Sequence, residues 1–185
     1  MKPTIFNWIV YSFWLALVVY LSISAIGVKG DTRPHWLQSF TLLFALIAAF
    51  WLPQLEIFRF IKFQTVNPWL SCFGVGLTLL GGSILIWGRF SLGKNWSQTV
   101  AIKTDHELIT SGAYRYVRHP MYSGGIIACI GSALAVGGPF ILLLLVLTPL
   151  FLWRVGAEDK LMEGQFPAQY PDYKKRTKAL IPFVW

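Results

Sequence analysis

The stretch HPMYSGGIIACIGSALAVGGPFILLLLVLTPLFLW, His119 to Trp153, runs for 35 residues without an Asp, Glu, Lys or Arg. As one upright helix it would reach about 52 Å at 1.5 Å per residue, well beyond an apolar bilayer core of about 30 Å. Gly137-Gly138-Pro139 places a turn signal near its middle. The reading is two short helices, about 120–136 and 139–157, joined as a tight hairpin.

Outward from this stretch the same pattern repeats. Lys2 and Lys29 bracket 26 uncharged residues, Lys62 and Arg89 bracket 26 more, and a further uncharged run extends from His35 to Leu55. A spanning helix needs about 20 apolar residues, so these runs give one span each, about 5–28, 36–55 and 69–89. Trp36, Trp51, Trp69 and Trp87 fall near span ends, where an interfacial aromatic belt would hold them. The first run is longer than the apolar core of a secretory signal, so it reads as a span. The expected fold is an all-α integral membrane protein of five transmembrane helices, a single domain over residues 1–185.

Composition agrees. Of 185 residues only 13% are charged and 55% are hydrophobic, which excludes both an ordinary soluble globule and a disordered chain. The 16 basic residues exceed the 8 acidic ones, and basic residues collect on the cytoplasmic side. With five spans, 13 of the 16 fall on one side; with four, the split is seven against nine, no bias at all. Five spans therefore place the N-terminus outside and the C-terminus in the cytoplasm, and the excess charge reports orientation instead of nucleic-acid binding. Cys72 and Cys129 both lie within spans, which argues against a disulfide or a metal site. Gly74, Gly76, Gly81 and Gly82 allow close helix packing in the third span.

Two polar stretches, about 90–119 and 158–185, share the cytoplasmic side. The first ends in Arg118-His119-Pro120-Met121-Tyr122, with Pro120 suited to the first position of a helix. That helix start offers amides and a positive dipole end, suited to an anion; the alternative is that Arg118 and His119 anchor the helix at lipid headgroups. Arg154 and Glu158 are four residues apart at the end of the last span, so they share a helix face. Arg154 is a candidate for function because it is ionisable at membrane depth; the alternative is a snorkelling arginine paired with Glu158. Tyr170 and Tyr173 either cover a cofactor or pack on lipid, and Lys174, Lys175, Arg176 and Lys178 suit lipid headgroups.

Arg118-His-Pro-Met-Tyr122, preceded by Leu108-Ile-Thr-Ser-Gly-Ala-Tyr114, resembles the motif of the isoprenylcysteine carboxyl methyltransferase family. The tail Glu158-Asp159…Phe166-Pro-Ala-Gln-Tyr170-Pro-Asp-Tyr173 resembles that family's Glu-Glu…Phe-Gly-x-x-Tyr-x-x-Tyr ending. The resemblance covers about 104–126 and 154–183. It implies a methyltransferase dependent on S-adenosylmethionine, with its cofactor pocket at the cytoplasmic ends of the last spans. It assigns cofactor binding to His106, Glu107, Leu108 and Ile109, then to Tyr114, His119, Pro120, Met121 and Tyr122, and finally to Glu158. Arg154 matches the arginine that faces the substrate carboxylate, and no metal is implied.

Two departures stand out: Asp159 replaces a Glu, and Pro167 replaces a Gly before Tyr170. The implied acceptor is lipidic or small, drawn from membrane lipid, with a prenylcysteine-like carboxylate first and a phospholipid amine or small thiol as alternatives. From other classes, the NADPH-dependent sterol reductases share an Arg-His-Pro-x-Tyr signature but are generally much longer, and a non-enzymatic membrane protein would use the polar stretches as anchors.

Overall fold

A computed structural model describes residues 4–24, 65, 67–96 and 107–182, and these are helical with short connections. The helices are α1 (Ile5–Ser24), α2 (Pro68–Leu92), α3 (Pro120–Val136), α4 (Gly138–Gln165) and the short α5 (Tyr170–Arg176). The predicted span 36–55 lies outside the described residues. Among the described residues, three helical stretches are long and apolar enough to cross a membrane, Ile5–Ser24, Pro68–Asn95 and Gly138–Gln165, while Pro120–Val136 is apolar but shorter.

Helix ends follow local chemistry. Asn67 caps α2, its side-chain oxygen accepting from the amides of Trp69 (3.0 Å) and Leu70 (3.3 Å), and Pro68 follows where no amide is needed. α3 begins at Pro120 and ends at Val136, as the sequence predicts. Gly137 then takes φ +101°, a backbone that side-chain-bearing residues rarely adopt, and its amide closes α3 on the Ala133 carbonyl at 2.9 Å.

α4 departs from expectation. It starts at Gly138 and continues through Gln165, eight residues past the predicted end. Charge ends a hydrophobic run but does not end a helix, since Glu, Lys, Leu and Met are good helix formers. What stops α4 is Pro167, because the residue before a proline is pushed out of the helical region. Phe166 is that residue, and the amides of Gln169 and Tyr170 return to its carbonyl (3.1 and 2.9 Å). Pro167 thus occupies the turn position where its fixed φ is favourable, and the departure from Gly is accommodated.

The core is the pairing of α2 with α3, built on small residues seven apart. Gly74 faces Gly131 and Ala135, Gly81 faces Gly124 and Ala128, and Gly88 faces Pro120 and Met121, so the helices run antiparallel. Backbones approach so closely that a Cβ on Gly124 would lie 2.5 Å from the Gly81 carbonyl oxygen. Gly82 instead receives the ring of Phe13 from α1, and Gly76, expected in the same packing, has nothing within 4 Å. Polar atoms inside the bundle satisfy one another: Trp14 Nε1 donates to Ser132 Oγ (2.9 Å), which lies 3.2 Å from Thr78 Oγ1. Arg89 ties the ends of α1 and α2 together, donating to the Ser24 carbonyl (2.5 Å) and the Gly93 carbonyl (2.9 Å) and lying over the Trp96 ring. Trp69 and Trp87 face outward, as an interfacial belt requires.

Candidate functional site

The start of α3 and the polar end of α4 meet. Tyr122 and Phe151, lying about equally far on either side of Gly137, stack with ring centroids 4.9 Å apart, and His119 also stacks with Tyr122 at 5.7 Å. Glu158 faces this stack. Its Oε1 accepts from the Tyr122 hydroxyl at 2.5 Å and from Arg154 at 3.2 Å, while its Oε2 lies 3.4 Å from His119 Nδ1. The Arg154 guanidinium also lies 5.8 Å from the Tyr122 ring centroid. Arg154 does pair with Glu158, and at 26% side-chain exposure it is partly buried.

His119 has a carboxylate at each ring nitrogen, for its Nε2 meets Asp159 Oδ1 at 2.9 Å. A carboxylate facing each nitrogen favours the imidazolium, in which both nitrogens are donors. Burial opposes that charge most strongly, but the hydrogen bonds and charges of Asp159 and Glu158 outweigh it and raise the His119 pKa above its ordinary value. Arg118 is equally buried, donating to Asp159 through NH2 (3.0 Å) and Nε (3.4 Å) and through NH1 to the Thr177 carbonyl. Neither residue is a headgroup anchor.

The amides at the start of α3 are less available than the sequence suggested. Pro120 has none, and those of Tyr122 and Ser123 both return to the His119 carbonyl at 3.1 Å. The amides of Arg118 and His119 pair with the carbonyls of Lys178 (2.8 Å) and Ala179 (3.0 Å), so the C-terminal segment runs parallel beside residues 117–119.

Of the other residues expected in the cofactor site, Tyr114 is buried, and burial followed by the nearby Glu158 carboxylate holds its phenol well above the ordinary range. Its carbonyl accepts from the Tyr173 hydroxyl at 2.7 Å. Pro120 and Met121 pack on Gly88 of α2. Glu107 is exposed, with Leu108 and Ile109 half-buried, in the segment leading to the 3-10 turn Gly112–Arg115; His106 lies outside the described residues.

Tyr170 and Tyr173 do neither of the things expected of them. Both are buried, and the Tyr170 hydroxyl donates to Asp159 at 2.5 Å. Burial and that carboxylate raise the Tyr170 pKa, and burial pushes Tyr173 up to about 12. The basic cluster keeps its exposed face, with Lys174 held to Glu163 (2.8 Å) and Lys175 to Asp172 (3.0 Å). Asp159 is the residue to which sequence reasoning gives no role: it is legible only as the neighbour of Glu158 and the counterpart of a Glu in the resembling motif, and its partners Arg118 and His119 lie far away along the chain.

Comparison with known proteins joins these observations. Residues 74–164 match the model of the isoprenylcysteine carboxyl methyltransferase (ICMT) family, a region running from the glycine face of α2 to the end of α4. Protein-S-isoprenylcysteine O-methyltransferase of Saccharomyces cerevisiae is 31% identical over 151 residues, covering 80% of this chain and 62% of that protein. Protein-S-isoprenylcysteine O-methyltransferase B of Arabidopsis thaliana is 29% identical over 120 residues, 63% of this chain and 61% of that protein. The chain thus spans about three fifths of these relatives' length. The solved structure of a eukaryotic intramembrane Ras methyltransferase, ICMT, shares the fold: its TM-score is 0.67 over 97% of this chain and 65% of that chain, at 21% identity. Family model, relatives and fold thus agree: from the glycine face of α2 to the end of α4 the chain is similar to the isoprenylcysteine carboxyl methyltransferase family.

Proposed function

We propose that this protein transfers a methyl group from S-adenosylmethionine to a membrane-associated acceptor, a prenylcysteine-like carboxylate. The observation that carries the reading is Arg154, a cation partly buried on α4 and joined to Glu158 beside the His119–Tyr122 stack. A cation there attracts an anionic acceptor and repels a protonated amine.

The residues suit the donor's chemistry. Glu158 is a carboxylate able to receive an ammonium or ribose hydroxyls, and the aromatic groups beside it, Tyr114 and Tyr122, suit an adenine or a sulfonium. His119, Pro120 and Met121 frame the start of α3, and Glu107, Leu108 and Ile109, with His106 before them, complete the cofactor group. When bound, S-adenosylmethionine supplies an electrophilic methyl. An acceptor carboxylate oxygen forms the new O–CH3 bond as the S–CH3 bond breaks, and the sulfur leaves with that electron pair as a neutral thioether. No proton moves, so no general base is required. Arg154 orients the carboxylate; its planar fork of five N–H donors suits such a group. Alignment of this kind supplies on the order of 7–11 kcal/mol of rate enhancement.

The membrane arrangement belongs to the same proposal: one domain of five spans, the last two a tight hairpin, the N-terminus outside and the site on the cytoplasmic face. The 13-to-3 division of basic residues supports it. The acceptor then enters sideways from the bilayer and the donor from the cytoplasm. The test is equilibrium binding of labelled S-adenosylmethionine to the purified protein in lipid nanodiscs. Saturable binding that is lost in Glu158→Gln is expected, and no binding by the parent protein would defeat the proposal.

A further inference from the structure

Asp159 stands one residue from Glu158 and faces a different set of partners. Its Oδ1 accepts from His119 (2.9 Å), Tyr170 (2.5 Å) and Arg118 (3.4 Å), and its Oδ2 accepts from Arg118 (3.0 Å), with Lys174 Nζ at 3.9 Å. A carboxylate has about four acceptor positions, so Asp159 is filled by the protein itself and has no capacity left for a ligand. The groups it holds come from two places, the start of α3 and the C-terminal segment, and Asp159 itself stands on α4. That segment is held a second time by the backbone, where the amides of Arg118 and His119 meet residues 178–179 and Ser123 Oγ donates to the Leu180 carbonyl at 2.6 Å.

We propose that Asp159 is a positioning residue that couples the C-terminal segment, residues 166–180, to His119 and through His119 to Glu158. The ring of His119 is the link, one nitrogen on each carboxylate, and the Asp159 leg is the tighter of the two at 2.9 against 3.4 Å. Without Asp159 the ring loses its shorter tether, Glu158 loses a fixed cationic neighbour, and Arg118 and Tyr170 lose the acceptor that seats the tail. Tyr170 therefore acts on the cofactor site without touching it, a consequence that rests on the function proposed above.

The experiment uses the full chain in nanodiscs, with Asp159→Asn, Asp159→Glu and Tyr170→Phe. Three readouts are taken: titration of the His119 ring by NMR with 15N-labelled histidine, tryptic cleavage at Lys174–Lys178, and affinity for S-adenosylhomocysteine. The groups facing His119 are Glu158, Asp159, Arg118 and the Tyr122 ring, with Tyr170 and Lys174 acting through Asp159 and Arg154 through Glu158. Loss of the Asp159 charge should lower the His119 titration by about one pH unit, speed tail cleavage at least about tenfold and weaken S-adenosylhomocysteine at least about tenfold. Tyr170→Phe should move all three the same way by less, and Asp159→Glu should restore them in part. An Asp159→Asn protein that keeps the parent titration and tail protection overturns the proposal. So does one whose tail is released while affinity stays unchanged. If Asp159→Asn does not fold, Tyr170→Phe decides by the same criteria. If the parent protein binds no S-adenosylhomocysteine, the functional reading fails, while the titration and cleavage still decide whether Asp159 couples tail and ring.

Discussion

Consider Gly124→Ala, the addition of one methyl group at a close contact of α2 with α3. Its Cβ would lie 2.5 Å from the Gly81 carbonyl oxygen and 2.6 Å from the Leu85 amide nitrogen, both backbone atoms that cannot rotate away. Ordinary contact begins at 3.4 Å, so the helices must part by roughly 1 Å. Overpacking of this kind costs about 1–3 kcal/mol. The parting also strains Thr78–Ser132 and Ser71–Ala135, each 3.2 Å apart, at about 0.6 kcal/mol per hydrogen bond inside a membrane. The sum is about 2–4 kcal/mol, or a melting temperature lower by about 5–15 °C. Gly76→Ala is the matched control: nothing lies within 4 Å of its Cβ, so it should melt at or slightly above the parent. The assay is thermal unfolding followed by a thiol-reactive dye in a Cys72→Ser background, because Cys129 is buried in α3 and becomes reactive only as the bundle opens. Melting of Gly124→Ala within about 1 °C of Gly76→Ala would refute the close-packed antiparallel pair.

Three further outcomes bear on the site. Tyr122→Phe deletes the 2.5 Å hydrogen bond to Glu158; bonds to a charged group are worth about 1.5–3 kcal/mol, so S-adenosylmethionine should bind up to roughly a hundredfold more weakly by equilibrium binding. Arg154→Ala should lower kcat/KM for a carboxylate acceptor at least about 30-fold, with donor affinity nearly intact when the two are measured separately. The third concerns pH. His119 has a folded pKa above its ordinary 6.5, so its contribution to stability is fully present below 6.5 and is lost as pH rises through the folded value. Melting temperature should therefore fall across that window on the alkaline side, and His119→Gln should flatten the slope; an equal slope in both proteins would contradict the imidazolium assignment.

Much of this was legible because it is local. The break at Gly137 follows from a Gly-Gly-Pro triplet inside an overlong apolar run, and the limits of α3 match to the residue. Of the third-span glycines expected in close packing, Gly74 and Gly81 meet α3 and Gly82 meets Phe13, while Gly76 packs on nothing; the seven-residue spacing that Gly88 completes emerges only in the structure. The end of α4 was misplaced because charge was read as a stop, when the stop lies in the proline after Phe166. The Asp159 cluster was illegible for a different reason. Arg118 and His119 lie 41 and 40 residues from it along the chain, and no periodicity connects groups that meet only once two helices and a tail have packed. The same distance explains why Tyr170 and Tyr173 invited readings as lipid or cofactor contacts.

The most direct measurement of the central claim is product identity. Purified protein in nanodiscs is given S-adenosylmethionine labelled in its methyl group together with an S-prenylated N-acetylcysteine, a phosphatidylethanolamine and a small thiol. The account predicts label in the prenylated cysteine as a methyl ester, released as methanol by mild alkali, and its loss in Arg154→Ala. Label retained through alkali on the phospholipid amine or the thiol would contradict it.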